Sequence, residues 1–337
     1  MEESSQDLSA KVAFLLRPDS YLPQPSTVAS VETHMAWVFL AGEFAYKLKK
    51  PVRYDFLDYG TVEARRWSCE EELRLNRRLA PTVYLGVVPL TLGQDGGLVL
   101  GDRGRVVDWL VHMRRLPAEL SLDRVIAAGP VPDRCIAAAA LKMAGFYRDA
   151  APVLLSPDRY RDRFQAEIVE NLRELGDPSF DMPKSLLQEL AGAQEGFLQD
   201  RAAILDRRVA DGRIVEAHGD LRPEHIYLEA DPSIIDCLEF DRELRFLDPA
   251  DELSFLTVEC DRLGQASVGR RFLQTYARVA EDDPPAELLR FYGSFRAFLR
   301  ARIAIRHLRD GDVRDPSRWP ARALEYLRFA RKYLPDQ

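Results

Sequence analysis

Residues 217–228 read AHGDLRPEHIYL, and residues 233–240 read SIIDCLEF. The short apolar runs in these segments flank a turn-forming EADPS stretch, so the pattern predicts a β-hairpin. Antiparallel pairing brings the start of the first strand beside the end of the second. His225 and Asp236 are therefore predicted to be neighbours, with Asp220 on the loop that leads into the hairpin.

Two carboxylates in such a cluster suit phosphoryl transfer, which needs charge neutralisation and positioning more than covalent chemistry. Asp220 would orient an attacking hydroxyl, Asp236 would hold Mg²⁺, and Arg222 would reach the transferred phosphoryl. The alternative is that His218, Asp220 and Asp236 only form turns and cap backbone groups. A zinc site of His218, Asp220 and His225 has less support, because no HExxH motif or cysteine pair accompanies it.

A lysine and a glutamate in the first third of the chain fit the same chemistry. The strand-like run FAYKLKK at 44–50 alternates, which puts Phe44, Tyr46 and Leu48 on one face and Ala45, Lys47 and Lys49 on the other. In the predicted helix at 61–79, Glu72 lies on the stripe that includes Leu75. An unpaired buried carboxylate is costly, so we expect Glu72 to pair with Lys47. A solvated lysine-rich strand end remains the alternative.

The chain is predicted to divide into residues 1–113, a small antiparallel sheet of five strands with one long helix, and residues 114–337, a mainly helical part. A short β-rich segment at 214–240 interrupts the second part. This composition makes the fold class α+β. Helical periodicity covers seven stretches, at 132–149, 158–175, 183–210, 250–261, 265–281, 285–308 and 317–334.

Composition argues for a globular protein without a nucleic-acid or membrane partner. The 337 residues carry a net charge of −7, whereas proteins that bind phosphate backbones are more often basic. The four cysteines are scattered and form no CxxC pair. The N-terminus resembles no signal peptide, and no apolar run is long enough to span a bilayer. The expected location is the cytoplasm.

HGDLRPEHI followed by IIDCLEF resembles the catalytic loop and metal-binding strand of the aminoglycoside phosphotransferase-like kinases. The resemblance implies a protein-kinase-like bilobed fold that uses ATP and Mg²⁺. His225 stands where that family usually has asparagine as second metal ligand. The implied roles are Asp220 as catalytic aspartate, Arg222 in place of the catalytic-loop lysine, Asp236 and His225 as metal ligands, and Lys47 with Glu72 at the nucleotide phosphates.

Residues 33–47 and 70–79 resemble a little-characterised bacterial branch of this family. In that branch the domain is often fused to a P-loop kinase or ATPase domain. This sequence contains no GxxxxGK[ST] motif, so a P-loop protein is expected as a separate partner. No glycine occurs between Val28 and Val38, so a glycine-rich phosphate loop is also missing there.

The expected function is transfer of the γ-phosphoryl of ATP to a hydroxyl of a small molecule that the sequence does not identify. A nucleotide-binding pseudokinase that acts through a protein partner is the main alternative, and a metal-dependent hydrolase is a weaker one. Arg296 and Arg302, in the helix at 285–308, are candidates for binding an anionic acceptor, or else are arginines around a core helix. Asp248 is predicted to cap the helix that follows it.

Overall fold

The computed structural model describes residues 5–54, 57–102, 104–309 and 317–334. The α-helices within these ranges are α1 Ser5–Leu15, α2 Val62–Asn76, α3 Leu122–Ala128, α4 Asp133–Asp149, α5 Pro157–Leu175, α6 Lys184–Asp200, α7 Ala202–Ala210, α8 Pro249–Arg262, α9 Ala266–Val279, α10 Ala286–Arg306 and α11 Arg318–Lys332. The strands are β1 Val28–Glu32, β2 Ala36–Ala41, β3 Phe44–Lys49, β4 Arg53–Tyr54, β5 Leu57–Asp58, β6 Tyr84–Leu92, β7 Leu98–Leu100, β8 Arg105–Arg114, β9 Val215–Glu216, β10 Ile226–Tyr227, β11 Ser233–Ile234 and β12 Phe246–Leu247. The α+β class is therefore confirmed.

The chain forms two compact units. The first unit combines residues 1–121 with residues 225–244, and the second combines residues 122–224 with residues 245–337. The hairpin of β10 and β11 thus belongs to the same unit as the sheet. The predicted division after residue 113 stays a prediction.

The first unit is built on a six-stranded antiparallel sheet in the order β1-β2-β3-β8-β6-β7. The prediction of five strands was wrong by one, because it missed β1. That strand forms the sheet edge, and four of its five residues are exposed. It therefore lacks the apolar alternation that marks a half-buried strand.

Each face of this sheet packs against a different helix. Tyr46 and Leu48 of β3 join the cluster that includes Leu15 of α1. Ala45 points the other way, into the cluster that includes Cys69 of α2. Because side chains alternate along a strand, Lys47 also faces α2. The predicted separation of the two faces of this strand is confirmed.

Helix α2 begins at Val62, one residue after the predicted start, because Thr61 is its N-cap. The Thr61 side chain accepts a hydrogen bond from the backbone N–H of Ala64 at 3.1 Å, an N-cap that satisfies one of the unpaired amides of the first turn. The helix ends at Asn76, three residues before the predicted end. Glu72 and Leu75 are fully buried on one face, as their spacing predicts.

The predicted hairpin is present but short. Its ladder pairs Ile226 with Ile234 and Tyr227 with Ser233, so the rest of the predicted β-rich segment at 214–240 is mostly irregular. The second strand ends before Asp236, whose φ of +64° is left-handed and cannot continue a ladder.

The second unit has a large core, formed mainly by α5, α6, α8, α10 and α11. The single helix predicted at 183–210 is instead two helices, which meet at Arg201. This residue has φ −122° and ψ 18°, outside the helical region. No proline or glycine marks the break, so the pattern alone could not show it. Among the described helices, none combines the length and the apolar character that a membrane crossing requires.

Candidate active site

Lys47 holds two carboxylates of the first unit together. Its Nζ lies 2.9 Å from Oε1 of Glu72 and 2.9 Å from Oδ1 of Asp236. The lysine side chain is only 17% exposed, so these ion pairs are largely shielded from water. The ion pair between Lys47 and Glu72 that the sequence predicts is present.

The choice of Glu72 among three successive glutamates follows from the helix geometry. Glu70 bonds Arg66 and Glu71 bonds Arg74, both near the helix surface. Glu72 is fully buried and keeps its second oxygen, Oε2, for another cation. A buried carboxylate is costly unless it is paired with charge and hydrogen-bonded, so a partner is expected at Oε2 as well.

That second cation is Lys49, which sequence reasoning did not single out. Its Nζ lies 2.7 Å from Oε2 of Glu72, and it also forms an ion pair with Glu239. Tyr59 donates a hydrogen bond to Oε1 of Glu239 at 3.0 Å. The available signal was the alternation of β3, which places Lys49 on the same face as Lys47.

Lys47, Lys49, Glu72, Asp236 and Glu239 together form what we call the lysine–carboxylate cluster. It contains two positive and three negative groups if all are ionised. Burial alone would lower the pKa of Lys47, but Asp236, Glu72 and Glu239 outweigh it and hold that pKa well above its ordinary value. Burial would likewise raise the pKa of Glu239, yet Lys49 and Lys47 lower it. Both shifts favour the charged forms.

Asp236 follows the second strand of the hairpin, and hydrogen bonds to side chains of β6 and α2 hold its backbone in place. Its backbone N–H donates to the Tyr84 hydroxyl at 3.2 Å, and the next N–H, of Cys237, donates to the Asn76 side chain at 2.9 Å. The carboxylate itself is 44% exposed. It is thus the accessible acid of the cluster.

The predicted adjacency of His225 and Asp236 is also present. The His225 carbonyl accepts a hydrogen bond from the N–H of Ile235 at 3.0 Å, which extends the hairpin by one link. The His225 Nε2 lies 3.5 Å from Oδ2 of Asp236. The imidazole is nearly buried, so it flanks the carboxylate from one side.

The donor atoms here fit Mg²⁺ in part. Mg²⁺ is usually held by one or two carboxylates together with substrate phosphates, and the exposed oxygens of Asp236 suit that arrangement. An imidazole nitrogen is a poorer ligand for this ion, so His225 fits better as a neighbour that orients Asp236. Within the described ranges, no three histidine, cysteine or acidic side chains lie together as a ready-made metal site.

The second unit carries the loop with Asp220. The backbone N–H groups of His218 and Gly219 donate to the Glu252 carboxylate at 3.1 and 2.5 Å. Gly219 has φ +93°, a conformation that favours glycine, and it turns the chain just before Asp220. The N–H of Asp220 donates to Nδ1 of His218 at 3.3 Å. The buried His218 therefore braces the loop.

Asp220 and Arg222 lie together on this loop. The Arg222 Nε is 3.0 Å from Oδ2 of Asp220, and the Arg222 Nη1 is 2.7 Å from Oε1 of Glu224. Both side chains of the first pair keep some exposure, 29% for Asp220 and 21% for Arg222. A carboxylate with an adjacent guanidinium can position a hydroxyl and stabilise negative charge that develops beside it.

Other predicted residues of the second unit have clear partners. Asp248 caps α8 by accepting from the N–H of Ala250 at 2.9 Å, which confirms the predicted role. Arg296 forms a two-fold ion pair with the buried Asp251, at 2.6 and 2.5 Å. Arg302 is paired with Glu167.

Sequence comparisons find relatives of this chain, and those relatives are themselves uncharacterized. No family model matches the chain. The uncharacterized protein Rv2004c of Mycobacterium tuberculosis is 34% identical over 281 residues, which are 81% of this chain and 53% of that protein. The uncharacterized protein Mb2027c of Mycobacterium bovis matches to the same extent. The chain therefore spans about half the length of the curated relatives it matches.

Solved structures match nearly the whole chain at low sequence identity. A choline/ethanolamine kinase family protein from Mesorhizobium loti has a TM-score of 0.56 at 13% identity and covers 96% of this chain and 94% of its own. The choline kinase of Cryptosporidium parvum has a TM-score of 0.57 at 9% identity and covers 98% of both chains. A thermostable mutant of an aminoglycoside phosphotransferase, in its apo form, has a TM-score of 0.51 at 13% identity and covers 94% of this chain and 98% of its own. The chain has the protein-kinase-like fold of these proteins, which confirms the predicted resemblance at the level of fold.

Proposed function

We propose that this chain transfers the γ-phosphoryl of ATP to a hydroxyl group of a small molecule. The observation that carries the proposal is the position of Lys47, which is shared between the buried Glu72 and the accessible Asp236. A lysine held by a glutamate of the neighbouring helix is the arrangement that protein kinases use at the ATP phosphates. The fold supports the same assignment, since the similar structures include small-molecule kinases.

Each residue has a role in this proposal. Lys47 contacts the phosphates, and Glu72 fixes the position of that lysine. Asp236 would hold Mg²⁺, which would neutralise phosphate charge, and His225, predicted from the sequence as a second metal ligand, would flank Asp236 and orient its carboxylate. Asp220 accepts or orients the proton of the acceptor hydroxyl.

Arg222 stabilises charge on the transferred group. Its guanidinium already lies beside Asp220, so it needs little rearrangement to act there. We also propose a separate P-loop protein as a partner, because residues 33–47 and 70–79 resemble a family branch in which this domain is often fused to a P-loop domain.

A nucleotide-binding pseudokinase is a second candidate, and His225 favours it. The related kinases are expected to have an amide oxygen at this position, whereas imidazole offers a nitrogen that suits Mg²⁺ less well. Such a protein would bind ATP and transfer its phosphoryl to no acceptor.

The test is a screen of phosphate transfer from labelled ATP across a library of hydroxyl-containing metabolites. Asp236→Asn is the decisive variant, and Asp231→Asn, on the exposed turn of the same hairpin, is the control with the same charge change. We expect Asp236→Asn to reduce transfer by about 100-fold or more, and Asp231→Asn to leave it unchanged. Nucleotide binding with no transfer by the wild-type chain would support the pseudokinase instead.

A further inference from the structure

Helix α10 carries several arginines, and most have acidic partners. Arg296 pairs with Asp251, and Arg306 bonds Glu174 at 2.6 and 2.9 Å. Arg300 differs from them. Within residues 5–54, 57–102, 104–309 and 317–334, its guanidinium has no hydrogen bond and no ion pair.

Two aromatic rings fix the position of this unpaired group. The Arg300 Cζ lies 5.8 Å from the ring centroid of Phe255 and 5.8 Å from that of Tyr326. Ring faces attract the cation but satisfy none of its five N–H donors. The Nε is shut off from solvent with no partner among the described residues. A buried donor without an acceptor is costly, so the site is incomplete as it stands.

Arg300 also lies within electrostatic reach of the loop that carries Asp220. Burial and the nearby Arg222 lower the pKa of Arg300, but Tyr326, Asp220 and Glu259 act in the opposite direction and the pKa lies above its ordinary value. The guanidinium is therefore charged at all relevant pH values. Its position couples it to the same acid that would orient the acceptor hydroxyl.

We propose that Arg300 binds an oxyanion group of the acceptor molecule, such as a carboxylate, phosphate or sulfate. The identification of the ligand as the acceptor rests on the proposed kinase function. A guanidinium presents paired donors that match the geometry of such groups. The acceptor would then be a small molecule that carries both a hydroxyl and an anionic group. Arg296 and Arg302, which the sequence suggested as ligands of an anionic acceptor, already pair with Asp251 and Glu167.

The first arm of the test does not depend on kinase activity. Binding of inorganic sulfate is measured calorimetrically for the wild type, Arg300→Met, Arg300→Lys and Arg306→Met. Methionine keeps the apolar contact with the two rings, lysine keeps the charge, and Arg306→Met removes the same charge from the same helix. We expect Arg300→Met to weaken sulfate binding by about 10-fold or more, Arg300→Lys to weaken it less, and Arg306→Met to match the wild type. Equal sulfate affinity in Arg300→Met and Arg306→Met would overturn the proposal.

The second arm identifies the source of the oxyanion. Transfer from ATP is compared for glycerate against glycerol, and for glycolate against ethylene glycol and ethanolamine. We expect the wild type to prefer the hydroxy acids and Arg300→Met to lose that preference, with the Kd for an ATP analogue unchanged. A weaker Kd for the ATP analogue in Arg300→Met would place Arg300 at the nucleotide instead, and a preference for neutral or cationic acceptors would also refute the assignment. Transfer to none of the compounds, by contrast, would count against the kinase function, while the sulfate arm still decides whether Arg300 is an anion site.

Discussion

Lys49 and Lys50 are adjacent in sequence but differ in the number and burial of their carboxylate partners, which makes them a matched pair for testing the lysine–carboxylate cluster. The Lys49 side chain is 1% exposed and neutralises Glu72 and Glu239. Lys50 pairs with Glu32 at the sheet edge, where the lysine side chain is 15% exposed and the glutamate side chain 37%. The change to methionine removes one charge in each case and keeps an unbranched side chain of similar length.

The expected magnitudes differ because the surroundings differ. Lys49→Met leaves one lysine, Lys47, to neutralise three acids in the cluster. Removing one partner of a buried ion pair costs about 3–5 kcal/mol, since the remaining charges lose their compensation without regaining water. An ion pair at the surface contributes only about 0–1 kcal/mol, which sets the expected loss for Lys50→Met.

Urea unfolding followed by tryptophan fluorescence measures this difference. Three of the four tryptophans, Trp37, Trp67 and Trp109, lie in the first unit, so the signal reports mainly on that unit. We expect a large fall in the urea midpoint for Lys49→Met and little change for Lys50→Met. Equal losses in the two variants, or a loss below about 1 kcal/mol for Lys49→Met, would refute the view that Lys49 is required to neutralise the cluster.

Two further predictions concern Glu239 and Glu252. Because the folded-state pKa of Glu239 lies below its ordinary value of 4.5, its contribution to stability is present above that pH and is lost as the pH falls through the folded-state pKa. Glu239→Gln should therefore flatten the fall in urea midpoint between about pH 6 and about pH 3, and an unchanged slope would contradict this. Glu252→Gln should lower the free energy of unfolding of the second unit by about 2 kcal/mol, since it weakens a charged acceptor of two backbone N–H groups. The control is Tyr147→Phe, which removes only the hydroxyl that donates to Glu252 at 2.6 Å and should lower the free energy of unfolding by about 1 kcal/mol. Thermal unfolding measures both variants. Equal losses of stability in Glu252→Gln and Tyr147→Phe would argue against a stabilising role of the backbone contacts.

The parts of the candidate site that could be predicted from the sequence depend on local periodicity. Alternation along β3 and the helical spacing of Glu72 were enough to pair that glutamate with Lys47. The hairpin pattern was enough to bring His225 beside Asp236. These inferences hold because a strand repeats every two residues and a helix every 3.6, whatever surrounds them.

The parts that could not be predicted depend on contacts between distant segments. Alternation along β3 places Lys49 on the face of Lys47, but nothing in the local sequence shows that Lys49 pairs with Glu239, 190 residues further along the chain. The partners of Arg296 and Arg302 are similarly remote, at Asp251 and Glu167. The role of a charged residue on a helix therefore stayed open until its surroundings were known.

The break between α6 and α7 is a similar case. Residues 183–210 have helical periodicity throughout, with neither proline nor glycine at the junction. The backbone of Arg201 nevertheless lies outside the helical region, so α7 begins as a separate helix. Arg208 of α7 pairs with Asp248, with its Nε 2.6 Å from Oδ2. Tertiary packing outweighs local preference here, since propensity is only a weak guide to where one helix ends and the next begins.

The backbone conformation of Asp236 restricts how this position can change during evolution. Asparagine and aspartate tolerate a positive φ better than other side chains, and glycine adopts it without penalty, whereas branched residues are strongly disfavoured there. A relative that has lost the acid should therefore carry asparagine or glycine at the equivalent position far more often than alanine or valine. Under the proposed function, those two residues would then mark descendants that have lost phosphoryl transfer and kept the hairpin.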